Sequence, residues 1–115
     1  MGKILDSGER TAFPTGSVRD MHEGKGDMVS LPWEALLRLS RHYEEGAKKY
    51  GEYNWQKGIP SHCYLDSGIR HLLKHYRGDT DERHDRAFIW NMLGLIWNDL
   101  NKPELNDVCK KEVKE

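Results

Sequence analysis

Between Pro32 and Tyr50 the chain reads PWEALLRLSRHYEEGAKKY, and its apolar positions return every three to four residues. At about 100° per residue, Trp33, Leu36, Leu37, Leu39, Ser40, Tyr43, Ala47 and Tyr50 gather on one broad face. The pattern predicts a first helix over 32–50, opened by Pro32, which suits a first helical position, and closed by Gly51. A loop, GEYNWQKGIP, follows and ends at Pro60. A second helix is predicted over 62–77, with Leu65, Ile69, Leu72, Leu73 and Tyr76 on its buried face and Gly78 as its stop. A third is predicted over 80–100, where Asp79 and Glu82 resemble a capping box and Pro103 lies beyond the end.

The third helix carries Phe88, Ile89, Trp90, Met92, Leu93, Leu95, Ile96, Trp97 and Leu100, so it is apolar on most sides. Such a helix is covered from several directions. With two partner helices in the chain, a second subunit is expected to supply the remaining cover. Residues 1–28 hold five of the eleven glycines, show no helical period and read as an irregular arm. Residues 29–103 form the expected helical domain, and 104–115 a charged tail, either a short helix or frayed. No alternating strand pattern, internal repeat or low-complexity tract is visible. The expected fold class is all-α, a small bundle of about three main helices completed by oligomerisation.

Composition narrows the function. In 115 residues, 18 Lys and Arg stand against 19 Asp and Glu, a net charge of -1, which argues against a dedicated nucleic-acid binder. Cys63 and Cys109 lie far apart with no CxxC spacing, which points to a reduced, cytosolic setting. No apolar run approaches the roughly 20 residues of a membrane span. The N-terminus, MGKILDSGER, lacks the apolar core of a signal peptide. A soluble, intracellular protein with no membrane and no stable nucleic-acid partner is expected.

Several polar residues stand where chemistry needs them. Glu44 projects from the apolar face of the first helix, whereas Glu45 points to solvent. A carboxylate facing a core must be paired, protonated or metal-bound, so Glu44 is either a partner of a second-helix arginine such as Arg70 or a metal ligand. Asp66 and Arg70, at i,i+4, are either a surface pair or, beside a pocket, a phosphate grip. His71 and His75 share the i,i+4 spacing of zinc chelators but point away from the main apolar face, as solvated or second-interface histidines would. Glu82 and Asp85 form an E-x-x-D, which suits a hard divalent cation such as Mg²⁺ or Mn²⁺ or else completes the helix start. His84, Asn91 and Asn98 are seven apart and line one stripe flanked by Ala87 and Gly94. That stripe is either a set of register-fixing hydrogen bonds or a polar wall lining a ligand site. In the arm, GKGD (Gly24 to Asp27) is either a plain flexible segment or a short phosphate-wrapping loop.

Taken in order, HYEEGAKKYGEYNWQKGIP, YLDSGIRHLLKH and GDTDERHDRAFIWNMLGL resemble the phage dATP/dGTP diphosphohydrolase family, and KGDMVSLPWEALLRLSRHY is similar to its entry segment. The resemblance covers about residues 19–100. That family is a relative of MazG-like all-α nucleoside triphosphate pyrophosphohydrolases. The resemblance implies a helical homo-oligomer, dimer or tetramer, with Mg²⁺ or Mn²⁺ held by helix carboxylates. The implied substrate is a purine deoxynucleoside triphosphate, cut to the monophosphate with release of diphosphate. In a phage with 2-aminoadenine DNA this would deplete dATP and supply dGMP, in the host cell cytoplasm. The MazG-like pattern, E-x-x-E followed by E-x-x-D, is matched in its second half by Glu82 and Asp85. Its first half is incomplete, since Ala47 follows Glu44 and Lys48 follows Glu45 at the third position.

The resulting expectation is specific. Glu44, Glu82 and Asp85 are the catalytic and metal-holding carboxylates, with Asp66 as a replacement ligand. Lys25, Lys49 and Arg70 neutralise phosphate oxygens. Trp55 or Tyr50 stacks on the purine, Asn54 reads its edge, and His84 and Asn91 belong to the polar wall. Two rivals are an HD-type phosphohydrolase built on His71, His84, Asp85 and Asp99, and a non-enzymatic helical nucleic-acid accessory protein.

Overall fold

The computed structural model describes residues 4–6, 8–21 and 23–108, arranged as two compact units, 1–32 and 33–115. The first unit is not wholly irregular, as the glycine content suggested. It holds an antiparallel hairpin of β1 (Arg10–Ala12) and β2 (Val18–Asp20), with Arg10 opposite Asp20 and Ala12 opposite Val18. Strands of three residues are too short to show an alternating pattern. Cross-strand charge helps hold them: Arg10 donates to Asp20 at 2.9 Å, and it also donates to Asp6, four residues before it, at 2.6 Å. Further on, Asp27 caps the 3-10 turn Met28–Ser30, accepting from the Ser30 amide at 3.3 Å and its hydroxyl at 2.6 Å.

The second unit is all-α: α1 (Trp33–Tyr50), a 3-10 turn at Asn54–Lys57, α2 (Ser61–Arg77), α3 (His84–Asn101) and a 3-10 turn at Pro103–Leu105. The first two helices begin within a residue of their expected starts. The third begins four residues later than expected, because local bonds hold residues 78–82 in a turn. Gly78, left-handed at φ 86°, closes α2 by donating to the His75 carbonyl. Asp79 accepts from Arg77 at 2.6 Å, and Asp81 pairs with the His84 ring at 2.7 Å. The expected capping box therefore does not form. Glu82 precedes the helix and Asp85 sits in its first turn, so the two carboxylates are not stacked one helical turn apart.

α2 and α3 make the main contact, and they meet on small and polar residues. The buried positions are Ser61, Tyr64 and Gly68 on α2, and His84, Ala87, Asn91, Gly94 and Asn98 on α3. Absent side chains let the backbones approach. A Cβ on Gly68 would lie 2.8 Å from the Met92 methyl, and one on Gly94 would lie 2.4 Å from the Tyr64 ring. Asn98 donates to the Ile59 carbonyl at 2.7 Å and to the Ser61 hydroxyl at 3.2 Å, fixing the register of α3 against the entry of α2. Asn91 turns back to the Ala87 carbonyl at 2.7 Å. Asn91 and Asn98 are thus buried in a helix–helix seam, whereas His84, at the same stripe's first position, meets the ring of His71.

This seam inverts the expected facing of α2. Ile69, Leu72, Leu73 and Tyr76 are exposed, Tyr76 at 87%, and His71 rather than these faces α3. α1 packs on α3 through Tyr43 and Trp90, with ring centroids 6.1 Å apart, and Trp90 meets Tyr64 edge-on at 5.6 Å. At the other end, Asp107 accepts from the His62 amide at 2.8 Å and pairs with its ring, so a distant carboxylate satisfies an otherwise orphaned N–H at the start of α2.

Candidate functional site

Gly51 ends α1 with φ 90°, and Tyr53 then adopts a left-handed φ of 59°, an uncommon conformation for a bulky residue. The reversal sets Trp55 edge-on against Trp97 at 5.1 Å and Tyr53 against Trp55 at 6.2 Å. Between this turn, the second half of α1 and Trp90 lies a cleft of about 400 Å³, lined among others by Tyr43, Glu44, Tyr50, Tyr53, Asn54 and Trp55. Glu44 is exposed there rather than buried against the core, and it makes no ion pair or hydrogen bond among the described residues. Its carboxylate remains available to a ligand. The Lys49 ammonium stands 5.0 Å from the Tyr50 ring centroid, and its contact with Tyr50 raises its pKa.

A second hollow, of about 290 Å³, lies where α1 meets the start of α3 and is lined by Arg38, Arg41, His42, Glu45, Arg83 and Arg86. The acidic neighbours only partly offset it: Glu45 pairs with Lys48 at 3.3 Å, Glu34 with Arg38 at 3.7 Å, and Asp85 with Arg86 at 3.2 Å. Forked guanidiniums at close quarters suit phosphate oxygens. Sequence reading overlooked these four arginines. Their signal was two R-x-x-R spacings, Arg38 to Arg41 and Arg83 to Arg86, each placing two guanidiniums on one flank. Burial lowers the pKa of His42 beside them, against the opposing charge of Glu82.

The third feature is the corner between α2 and α3. The Nδ1 atoms of His71 and His84 stand 2.9 Å apart, and Glu82 Oε1 lies 3.7 Å from the same His71 nitrogen. These three donor atoms all fall within 4.8 Å of one another. The side chain of His84 is 1% exposed and its Nε2 meets Asp81 at 2.7 Å, a bond that lowers the Asp81 pKa. Burial lowers the pKa of His71, which is 19% exposed at its side chain and faces α3 rather than solvent. The adjoining hollow, about 610 Å³, is lined among others by His75, Asp79, Asp81, Glu82, Arg83 and Asp85. Burial pushes the Asp85 carboxyl up, but the Arg86 amide at 2.8 Å and its guanidinium outweigh this and leave it lowered. Arg83 lines both this hollow and the arginine-rich one.

The expected residues therefore divide. Glu44, Tyr50, Asn54 and Trp55 come together in the aromatic cleft, and Glu82 and Asp85 at the helix corner. Asp66 pairs with Arg70 on the exposed flank of α2, the plain surface-pair reading, and neither lines the aromatic cleft or the corner hollow. Lys25 belongs to the first unit, where it lines a hollow with Arg10, Arg19 and Asp20. Of the HD-type set, His71 and His84 meet, but Asp99 lies fifteen residues along α3 from His84, about 22 Å of helix axis at 1.5 Å per residue.

Among the described residues no helix is long and apolar enough to cross a membrane. Neither a curated protein nor a solved structure matches the chain. A protein-family model does, over residues 15–108, which takes in all three helices, the aromatic cleft, the arginine hollow and the histidine corner. The chain belongs to the family described as dATP/dGTP diphosphohydrolase, N-terminal.

Proposed function

We propose that the chain binds a purine deoxynucleoside triphosphate, dATP or dGTP, and hydrolyses it to the monophosphate and diphosphate. The observation that carries this reading is the placement of an aromatic cleft and an arginine-lined hollow on one helix, α1, with an unpaired carboxylate, Glu44, on the cleft wall. The exposed Tyr50 ring and the Asn54 amide suit a purine face and edge. Trp55 is committed to Trp97, so it supports the wall. Arg38, Arg41, Arg83 and Arg86 neutralise phosphate oxygens as charge shifts toward the leaving diphosphate. Water attacks the α-phosphorus, the bond to the bridging oxygen breaks, and diphosphate departs. At the hollow that Glu82 and Asp85 both line, a divalent cation, Mg²⁺ or Mn²⁺, would supply Lewis-acid stabilisation of the phosphate chain. Lys49, against the Tyr50 ring, adds positive charge at the end of α1.

The same reading includes a homo-oligomer, dimer or tetramer. Only Tyr64 and Ala87 are buried hydrophobic residues among those described, while Ile69, Leu72, Leu73, Ile96 and Leu100 remain exposed. Apolar area on this scale is ordinarily covered by a partner, and a second copy would cover the apolar faces of α2 and α3. The setting that goes with this chemistry is nucleotide-pool control in the cytoplasm of a phage-infected cell.

The test is incubation with each common dNTP and NTP, with Mg²⁺ or Mn²⁺, and chromatography of the products. Monophosphate and diphosphate from dATP and dGTP, lost in Glu44→Gln, are expected. No turnover of any nucleotide by the folded protein would remove the reading. Light scattering reads the assembly, with Leu72→Lys expected to shift it toward the monomer.

A further inference from the structure

We infer that His71, His84 and Glu82 form a mixed nitrogen–oxygen site for one first-row transition-metal ion per chain, of the Mn²⁺, Co²⁺ or Zn²⁺ class, in preference to Mg²⁺. What the ion does for turnover rests on the nucleotide reading above. That it binds rests on the donors alone.

Three observations carry the site. The first is convergence: two imidazole nitrogens and a carboxylate oxygen from α2, α3 and the turn between them fall within 4.8 Å of one another. The nitrogens are 2.9 Å apart. Two ligands at about 2.1 Å from an ion and at right angles to each other stand about 3 Å apart, so this spacing already matches adjacent ligand positions. Glu82 Oε1 is 3.7 Å from the His71 nitrogen, and its side chain, 53% exposed, is free to rotate toward an ion.

The second is the outer contact. Asp81 accepts at 2.7 Å from Nε2 of His84, and when that nitrogen carries the proton, Nδ1 presents a lone pair to the site. Metal-binding histidines commonly have their other ring nitrogen held by a carboxylate in this way, which fixes tautomer and ring orientation.

The third is access. Glu82 lines the 610 Å³ hollow at the corner, and Arg83 lines both that hollow and the four-arginine one. Of the three ligands Glu82 lines the hollow, and a set of three protein ligands leaves a coordination position for exogenous oxygen on that side, as in catalytic rather than structural sites. Imidazole donors select borderline transition ions over Mg²⁺, which prefers all-oxygen surroundings. A hydrogen bond between the two histidines would use the same 2.9 Å spacing but would need no ion.

Titration of the full chain with Co²⁺ and Zn²⁺, followed by calorimetry and by the visible Co²⁺ spectrum, separates these cases. One ion per chain is expected, uncompeted by millimolar Mg²⁺ and accompanied by a rise in Tm. His71→Ala and Glu82→Gln should each weaken binding by at least tenfold, and Asp81→Asn by about 10–100-fold. Glu82 is exposed, so its variant keeps the test valid if a histidine variant misfolds. No ion bound by the wild-type chain, or affinity unchanged in the folded His71→Ala or Glu82→Gln variants, would overturn the site and leave a histidine–histidine hydrogen bond. Ion binding without nucleotide turnover would remove the nucleotide reading and leave this one standing.

Discussion

The ring of Tyr64 lies across the backbone of Gly94, so close that a methyl group at residue 94 would sit 2.4 Å from two of its carbons. Tyr64 is 1% exposed and also meets Trp90 edge-on, so it has no free direction in which to yield. Gly94→Ala is expected to destabilise the chain. Overpacking costs about 1–3 kcal/mol, and the helix preference for Ala returns at most about 1 kcal/mol. Gly46, in α1, has nothing within 4 Å of its Cβ position, so Gly46→Ala should stabilise by up to about 1 kcal/mol. Urea unfolding of the two variants checks the contrast, and a loss in both would refute the packing argument.

Burial of the Tyr64 phenol pushes its pKa up to about 12, with the nearby Tyr43 adding in the same direction. A folded-state pKa above that of the unfolded chain means stability is fully present below about pH 10 and is lost as pH rises toward 12. Tyr64→Phe should therefore flatten the alkaline limb of a stability–pH curve between those values. Tyr43, also raised by burial, leaves part of the slope in place. An unchanged limb in the variant would show that Tyr64 does not titrate there.

Glu44 is exposed on the cleft wall with no partner among the described residues, so its removal should leave the fold intact. Glu44→Gln is expected to change stability by less than about 0.5 kcal/mol while abolishing most nucleotide turnover. Tyr50→Ala should raise KM for purine substrates with little change in Tm, since Tyr50 is 59% exposed. Steady-state kinetics alongside thermal melts separates the two effects. A large drop in Tm for Glu44→Gln would make it a structural residue.

Arg41 and Arg83 face the same hollow from α1 and from the residue preceding α3. A charge-assisted hydrogen bond is worth about 1.5–3 kcal/mol, so Arg41→Ala or Arg83→Ala should lower kcat/KM for a triphosphate by about 10–100-fold. Binding of the corresponding nucleoside should change little. Equal losses for nucleoside and triphosphate would place the phosphates elsewhere.

Much of this protein is written locally in its sequence. The three helices follow from apolar spacing, from Pro32 at one start and from Gly51 and Gly78 at two ends, because those signals act within a turn of chain. The nearness of Glu44, Tyr50, Asn54 and Trp55 was legible for the same reason, since they are neighbours along one helix and its loop. The facing of the helices was not legible. Hydrophobicity assigns Ile69 and Leu72 to the inside of α2, but the seam is set by how closely two backbones can approach, which Gly68 and Gly94 permit. That choice turns His71 inward onto His84 and leaves the larger apolar side chains outside. The start of α3 likewise depended on a bond from Asp81 to a histidine three residues on, which competes with helix formation at Thr80. Sequence periodicity determines which residues share a helix face. Only the tertiary structure decides which face is covered, because packing rewards fit between surfaces and not the hydrophobicity of either one alone.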